Sequence, residues 1–138
     1  MNTFKNPADA QLRKILATPR TIAVVGCSPD PNRDSHRIAA LLKAKGHTVI
    51  PVNPGCQEVL GEQCFATIRD IPEPVEMIDV FRRPEFVDQI VDDAIAVGAK
   101  ILWLQLDVIN EPAACKAQAA GLTVVMDRCP AIEYRRLF

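Results

Sequence analysis

Short apolar runs rich in β-branched residues recur along the chain, and most are followed by a stretch whose apolar residues return every three or four positions. The runs are Thr21–Val25 (TIAVV), Thr48–Val52, 77–81, 101–106 and 122–126. Runs of this length with apolar residues on both parities predict strands buried on both faces of a parallel sheet. Between them the helical period predicts helices. Asn6-Pro7 reads as a cap and first turn, with Leu12, Ile15 and Leu16 as the buried stripe and an end near Pro19. Ser35 opens a helix over 36–45 with Ile38, Leu41 and Leu42 inward and Gly46 just past its end. Pro84 starts a third, marked by Val87, Ile90, Val91 and Ala94 and stopped at Gly98. Asn110 caps a fourth beginning at Glu111-Pro112, whose inward side is alanine (Ala113, Ala117, Ala120), and 130–137 is a last short one. Residues 58–65 read as irregular, and 67–71 as one helical turn begun by Thr67 with Asp70 three residues on.

Strands that alternate with helices at spacings of roughly 20 to 29 residues are βαβ units. Right-handed crossovers then give an α/β, Rossmann-like, doubly wound parallel sheet of five strands with helices on both faces. The expected order is 3-2-1-4-5, with the topological switch point beside strand one. Residues 1–138 are read as a single domain of this kind, without linker, repeat or low-complexity tract.

Composition narrows the partners. Sixteen basic residues stand against 17 acidic ones, which argues against non-specific binding to nucleic acid or to an anionic membrane surface. The opening MNTFKNPADA lacks the apolar core of a signal peptide, and no stretch is long enough for a membrane span. The expected address is therefore the cytoplasm. Five cysteines, an odd number with no CxxC pair, argue against a disulfide framework or a zinc site, and His36 and His47 are the only histidines, so no metal site is expected.

In a parallel sheet the C-terminal strand ends share one edge, so the residues that follow each strand assemble the site. Strand one is followed by Gly26, Cys27, Ser28, Arg33 and Ser35, strand two by Asn53 and Pro54, and strand three by Arg82 and Arg83. Strand four is followed by Gln105, Asp107 and Asn110, and strand five by Asp127, Arg128 and Cys129. A glycine turn, a polar loop and a helix start after strand one make an anion cradle. Gly26 is read there as allowing close backbone approach to a phosphate. Ser28 and Ser35 either donate hydroxyls to it or cap the helix, and Arg33 is either solvated or paired with the anion. Arg82-Arg83 offers fork-shaped donors suited to phosphate oxygens, one turned inward and one outward, the competing role being a pair with Glu85 or Asp88.

Catalytic groups are sparse. A triad of Ser28, His36 and Asp34 lacks anything to aim His36 at Ser28. Asp79 stands alone in an apolar strand. Cys27 is the nucleophile nearest the cradle, but it reads better as a small residue that lets the loop approach its ligand. An NAD(P)-dependent oxidoreductase is the main alternative. Against it, the loop GCSPDPNRDS carries one glycine instead of GxGxxG, and Asn53 stands where an acid would hold the ribose.

The string VVGCSPDPNRDSHRIAALLKAKGHTVIPVNP, followed by VLGEQCF, IPEPVEMIDVFRRPE, GAKILWLQL and AGLTVVMDRC, resembles the stand-alone CoA-binding domain proteins of bacteria. Those are similar to the CoA-binding domain at the start of the succinyl-CoA synthetase α subunit. The resemblance covers about residues 10–138. It implies a Rossmann-like fold that binds coenzyme A or acyl-CoA without chemistry of its own. By position, it implies that Gly26, Ser28, Arg33 and Ser35 line the phosphates, that Asn53 and Pro54 border the adenosine, that Phe81, Arg82 and Arg83 contact the cofactor, and that Trp103 and Gln105 complete the edge. A small residue such as Ala is common where this chain has Cys27, so a thiol role there would be particular to this chain. The synthetase's phosphohistidine loop and grasp domain have no counterpart here. A subunit of a split acyl-CoA ligase, served by a partner chain, is therefore a third reading.

Overall fold

A computed structural model of the protein describes residues 3–138. Five strands form one parallel sheet: β1 Thr21–Val25, β2 Thr48–Val52, β3 Met77–Val80, β4 Ile101–Leu104 and β5 Thr123–Val125. β3 and β4 are buried at every position, and β1 and β2 at four of five, as the apolar runs require. Five helices flank the sheet: α1 Asp9–Ala17, α2 Asp34–Ala44, α3 Val87–Ala96, α4 Glu111–Ala119 and α5 Pro130–Leu137. Alternate strand residues feed two cores. Ile22, Val24, Met77 and Trp103 pack with the inward faces of α1, α2 and α5. Ala23, Val25, Ile78 and Leu102 pack with α3 and the alanine face of α4.

The sheet order is β2-β1-β3-β4-β5, so the expected order 3-2-1-4-5 is corrected at one place: the third strand pairs with β1, not with β2. The cause lies in the segment after β2. Residues 58–65 are not irregular. Glu58–Val59 and Glu62–Gln63 make a small antiparallel hairpin turned through Leu60 and Gly61, both at positive φ, and Phe65 then lies parallel beside Val52. Its N–H donates to the Pro51 carbonyl at 3.0 Å, and its own carbonyl accepts from Asn53 N–H at 2.9 Å. The outer edge of β2 is thereby occupied, and the next strand returns on the far side of β1. The switch point still falls beside β1, now between β1 and β3, with α2 on one face and α3 on the other.

The first helix start also differs. α1 begins at Asp9 with Ala8 at its cap, and Asn6 instead exchanges two hydrogen bonds with the Met126 backbone at 2.8 and 2.9 Å, pinning the chain's start to the end of β5. Asn110 does cap α4, its side chain accepting from Ala113 N–H at 3.1 Å. Among the described residues no helix is long and apolar enough to cross a membrane.

Candidate functional site

The loop after β1 is held by its own side chains. The Ser35 hydroxyl accepts from Ser28 N–H at 3.0 Å, the Ser28 hydroxyl from Asp30 N–H at 3.1 Å, and the Asp30 carboxylate from Asn32 N–H at 3.0 Å. Ser35 is thus the second residue of α2 and a brace for the loop, not its cap; Arg33 holds the cap position. His36 Nδ1 lies 2.9 Å from the Ser28 carbonyl, while Asp34 pairs with Arg37, so these three residues brace the loop and do not form a triad. Most loop amides are consumed internally. The first N–H groups of α2, at Asp34 and Ser35, have no intrahelical partner by the geometry of any helix start. Both residues line a first cleft of about 470 Å³, together with Gly26, Ser28, Asn32, Arg33, Arg37 and Phe81.

Gly26 has φ +82°, and a Cβ built on it would stand 2.4 Å from the Phe81 carbonyl oxygen. The residue is demanded first by the close passage of the β1 and β3 ends and only then by any ligand. Of the two arginines after β3, Arg82 is the inward one. Its side-chain Cδ lies 3.3 Å from that same Cβ position, and its guanidinium stacks 4.4 Å from the centre of the Phe86 ring. It borders a second cleft of about 190 Å³ between β1, β2 and α3, whose apolar wall includes Val52, Pro54, Ile68 and Phe86. Arg83 is exposed and enters none of the clefts described here.

A third cleft, about 440 Å³, opens on the α2–α5 side and shares Asp34, Arg37 and Phe81 with the first. Gln105 lines it although only 5 % exposed. Its Nε2 donates at 2.8 Å to Oδ1 of Asp79, which is completely buried and whose Oδ2 has no partner among the described residues. Burial drives the Asp79 carboxyl up to about 7, against the hydrogen bonds from Gln105 and the Val80 backbone, which lower it. The native state then keeps a proton that the unfolded chain releases near 3.8, so this group makes stability fall as pH rises from about 4 to about 7. Asp79→Asn, a mimic of the protonated form, is expected to abolish that fall. Urea titrations across this range should show the wild type losing up to about 1.4 kcal/mol per pH unit relative to the variant. Parallel profiles would mean that the native carboxyl titrates normally.

Other residues named from the sequence have different places. The Cys27 side chain is fully buried among the α2-side core, and burial pushes its thiol up to about 12, so it is a small packing residue beneath the loop and no thiolate faces the clefts. Asn53 is spent on loop geometry: its Nδ2 donates to the Cys27 carbonyl at 3.0 Å and its Oδ1 accepts from Gly55 N–H at 2.9 Å. Trp103 is fully buried, its indole N–H donating to the Arg128 carbonyl at 2.9 Å, and it does not reach the edge. His47 is likewise buried, between Arg20 N–H and the Tyr134 hydroxyl. Among the described residues no group of three or more His, Cys, Asp or Glu is placed to hold a metal ion. The sequence did not single out Asn32, Arg37, Phe86, Ile132 or Arg135, all of which line the clefts. The helical period shows which residues of a helix face outward but not what they face.

A doubly wound parallel sheet with a braced loop at its switch point defines an α/β domain of the Rossmann type. Within that class the chain belongs to the CoA binding domain family, whose model matches residues 20–135. It is 34% identical over 126 residues to the protein YneT of Bacillus subtilis, covering 91% of this chain and 93% of that one. A solved structure of a hypothetical protein from Pyrococcus horikoshii OT3 superposes with a TM-score of 0.91 at 38% identity, over 99% of both chains. Acetate–CoA ligase (ADP-forming) I of Archaeoglobus fulgidus is 31% identical over 78 residues, which is 56% of this chain but 11% of the ligase.

Proposed function

We propose that the protein holds coenzyme A or an acyl-CoA across the C-terminal edge of its sheet, as a binding module without catalysis of its own. The observation that carries this is the continuity of three unlike clefts, joined at Gly26 and Phe81. The second cleft is narrow, walled by Pro54 and Ile68 and flanked by the Arg82–Phe86 stack; it suits a purine with a phosphorylated ribose. The first cleft offers the α2 amides, Arg33, Asn32 and the Ser28 region to a diphosphate. The third cleft takes the remaining arm. In this scheme Pro54, Phe81, Arg82, Gln105, Ser28 and Arg33 touch the ligand, whereas Asn53, Ser35 and Cys27 shape the loops that do.

Dinucleotide binding is less well served. A ribose held by NAD-type recognition needs an acceptor at the end of β2, and both polar atoms of the Asn53 side chain are already engaged by backbone. Calorimetry with CoA, NAD and NADP tests the proposal. CoA is expected to bind at least ten times more tightly than either dinucleotide, and tighter NAD binding would reverse the assignment. The split-ligase reading adds a partner chain to the same CoA site, and would show as acyl-CoA formation only when that chain is supplied.

A further inference from the structure

From the lining of the third cleft we infer that the preferred ligand is an aliphatic acyl thioester of CoA, with its acyl chain lying between α2 and α5. The inference rests on the CoA reading above and deepens it. The cleft adjoins the phosphate cradle through Asp34, Arg37 and Phe81, so an arm leaving the diphosphate enters it directly. Its lining beyond the shared Asp34 and Arg37 is mostly apolar, with Ile38, Leu41, Phe81, Leu106, Ala131 and Ile132 beside the polar Gln105 and Arg135. Leu106 and Ile132, both in this lining, are 48% and 42% exposed, so the cleft leaves large aliphatic side chains in contact with water. Free CoA ends there in a thiol on a polar, amide-rich arm, which leaves these walls against water. An acyl chain would cover them.

The buried polar group of the cleft, Gln105, fits the same ligand. Gln105 gives one amide hydrogen to the buried Asp79, which fixes the orientation of its carboxamide, and among the described residues the rest of that carboxamide has no partner. It can therefore meet an amide of the arm or the thioester carbonyl. Asp79 acts here as a positioning residue. Arg37 is paired with Asp34, and Arg135 is exposed to solvent, so neither charge has to be desolvated by an aliphatic chain lying on the apolar part of the lining.

The test is calorimetric titration of the whole chain with CoA, acetyl-CoA, butyryl-CoA and hexanoyl-CoA. Each buried methylene should tighten binding by roughly three- to fourfold, so that hexanoyl-CoA binds at least about 30-fold more tightly than CoA. Ile132→Asp and Leu106→Asp, each at an exposed position, should cut that hexanoyl-to-CoA ratio to below about threefold while leaving the circular dichroism spectrum unchanged. Equal affinity for CoA and hexanoyl-CoA overturns the inference while leaving the CoA site standing. A ratio that survives in both aspartate variants overturns it too, because the chain then lies elsewhere. If neither CoA nor any thioester binds, the proposed function fails together with it.

Discussion

Gly26→Val is expected to cost the protein a large share of its stability before any ligand is considered. The glycine holds φ +82°, where an L residue is strained by about 1–3 kcal/mol. Even the first carbon of a side chain would stand 2.4 Å from the Phe81 carbonyl oxygen, a backbone atom. That backbone has little room to yield, since Phe81 N–H donates to the Val25 carbonyl at 2.9 Å and holds β3 against β1. Relief by shifting the strands belongs to the overpacking class, about 1–3 kcal/mol or more. Together the two effects amount to roughly 2–6 kcal/mol, against the 5–15 kcal/mol typical of a whole domain. A fall of this size in urea unfolding should already appear in Gly26→Ala and be larger in Gly26→Val. A Gly26→Val protein with wild-type stability would show that the two strand ends can separate freely. Loss of CoA binding in this variant consequently says nothing about phosphate contact.

The arginine pair gives the cleaner test of the site. Arg82→Ala should weaken CoA binding roughly 10- to 150-fold, the worth of a hydrogen bond to a charged group, about 1.5–3 kcal/mol. Arg83→Ala should change it by less than about threefold. The difference follows from placement: Arg82 lies over Phe86 at the mouth of the second cleft, whereas Arg83 is exposed and outside it. Arg82→Lys should fall between the two, keeping charge but losing the planar stack on Phe86. Titrations at two salt concentrations add a second readout, because removing a phosphate contact also flattens the salt dependence. Equal effects of Arg82→Ala and Arg83→Ala would remove the second cleft from the site, and wild-type affinity in both single variants would mean that the arginines of this edge are not used.

The sequence by itself determined the parallel α/β class, the five strands of the main sheet, the helices between them, and the side of the sheet to which the carboxyl ends of those strands point. Each of these follows from local physics. β-branched runs such as TIAVV fit a doubly buried strand, the three-to-four period of Val87, Ile90, Val91 and Ala94 fits one helix face, and parallel strands must send all their carboxyl ends to one side. One available signal went unused. Pro51 within β2 has no N–H for a ladder and belongs on an edge strand, whereas the order 3-2-1-4-5 places strand two inside the sheet. What tertiary structure alone decided is which distant groups meet. Phe65 takes the free edge of β2 and so sends β3 to β1; the Phe81 carbonyl makes Gly26 obligatory; the Ser28 amide claims the Ser35 hydroxyl; Gln105 reaches Asp79 from the next strand; and α2 faces α5 across a cleft. None of these pairs is close in sequence to a signal for the other, since periodicity reports which side of an element is buried and carries no record of the partner that buries it.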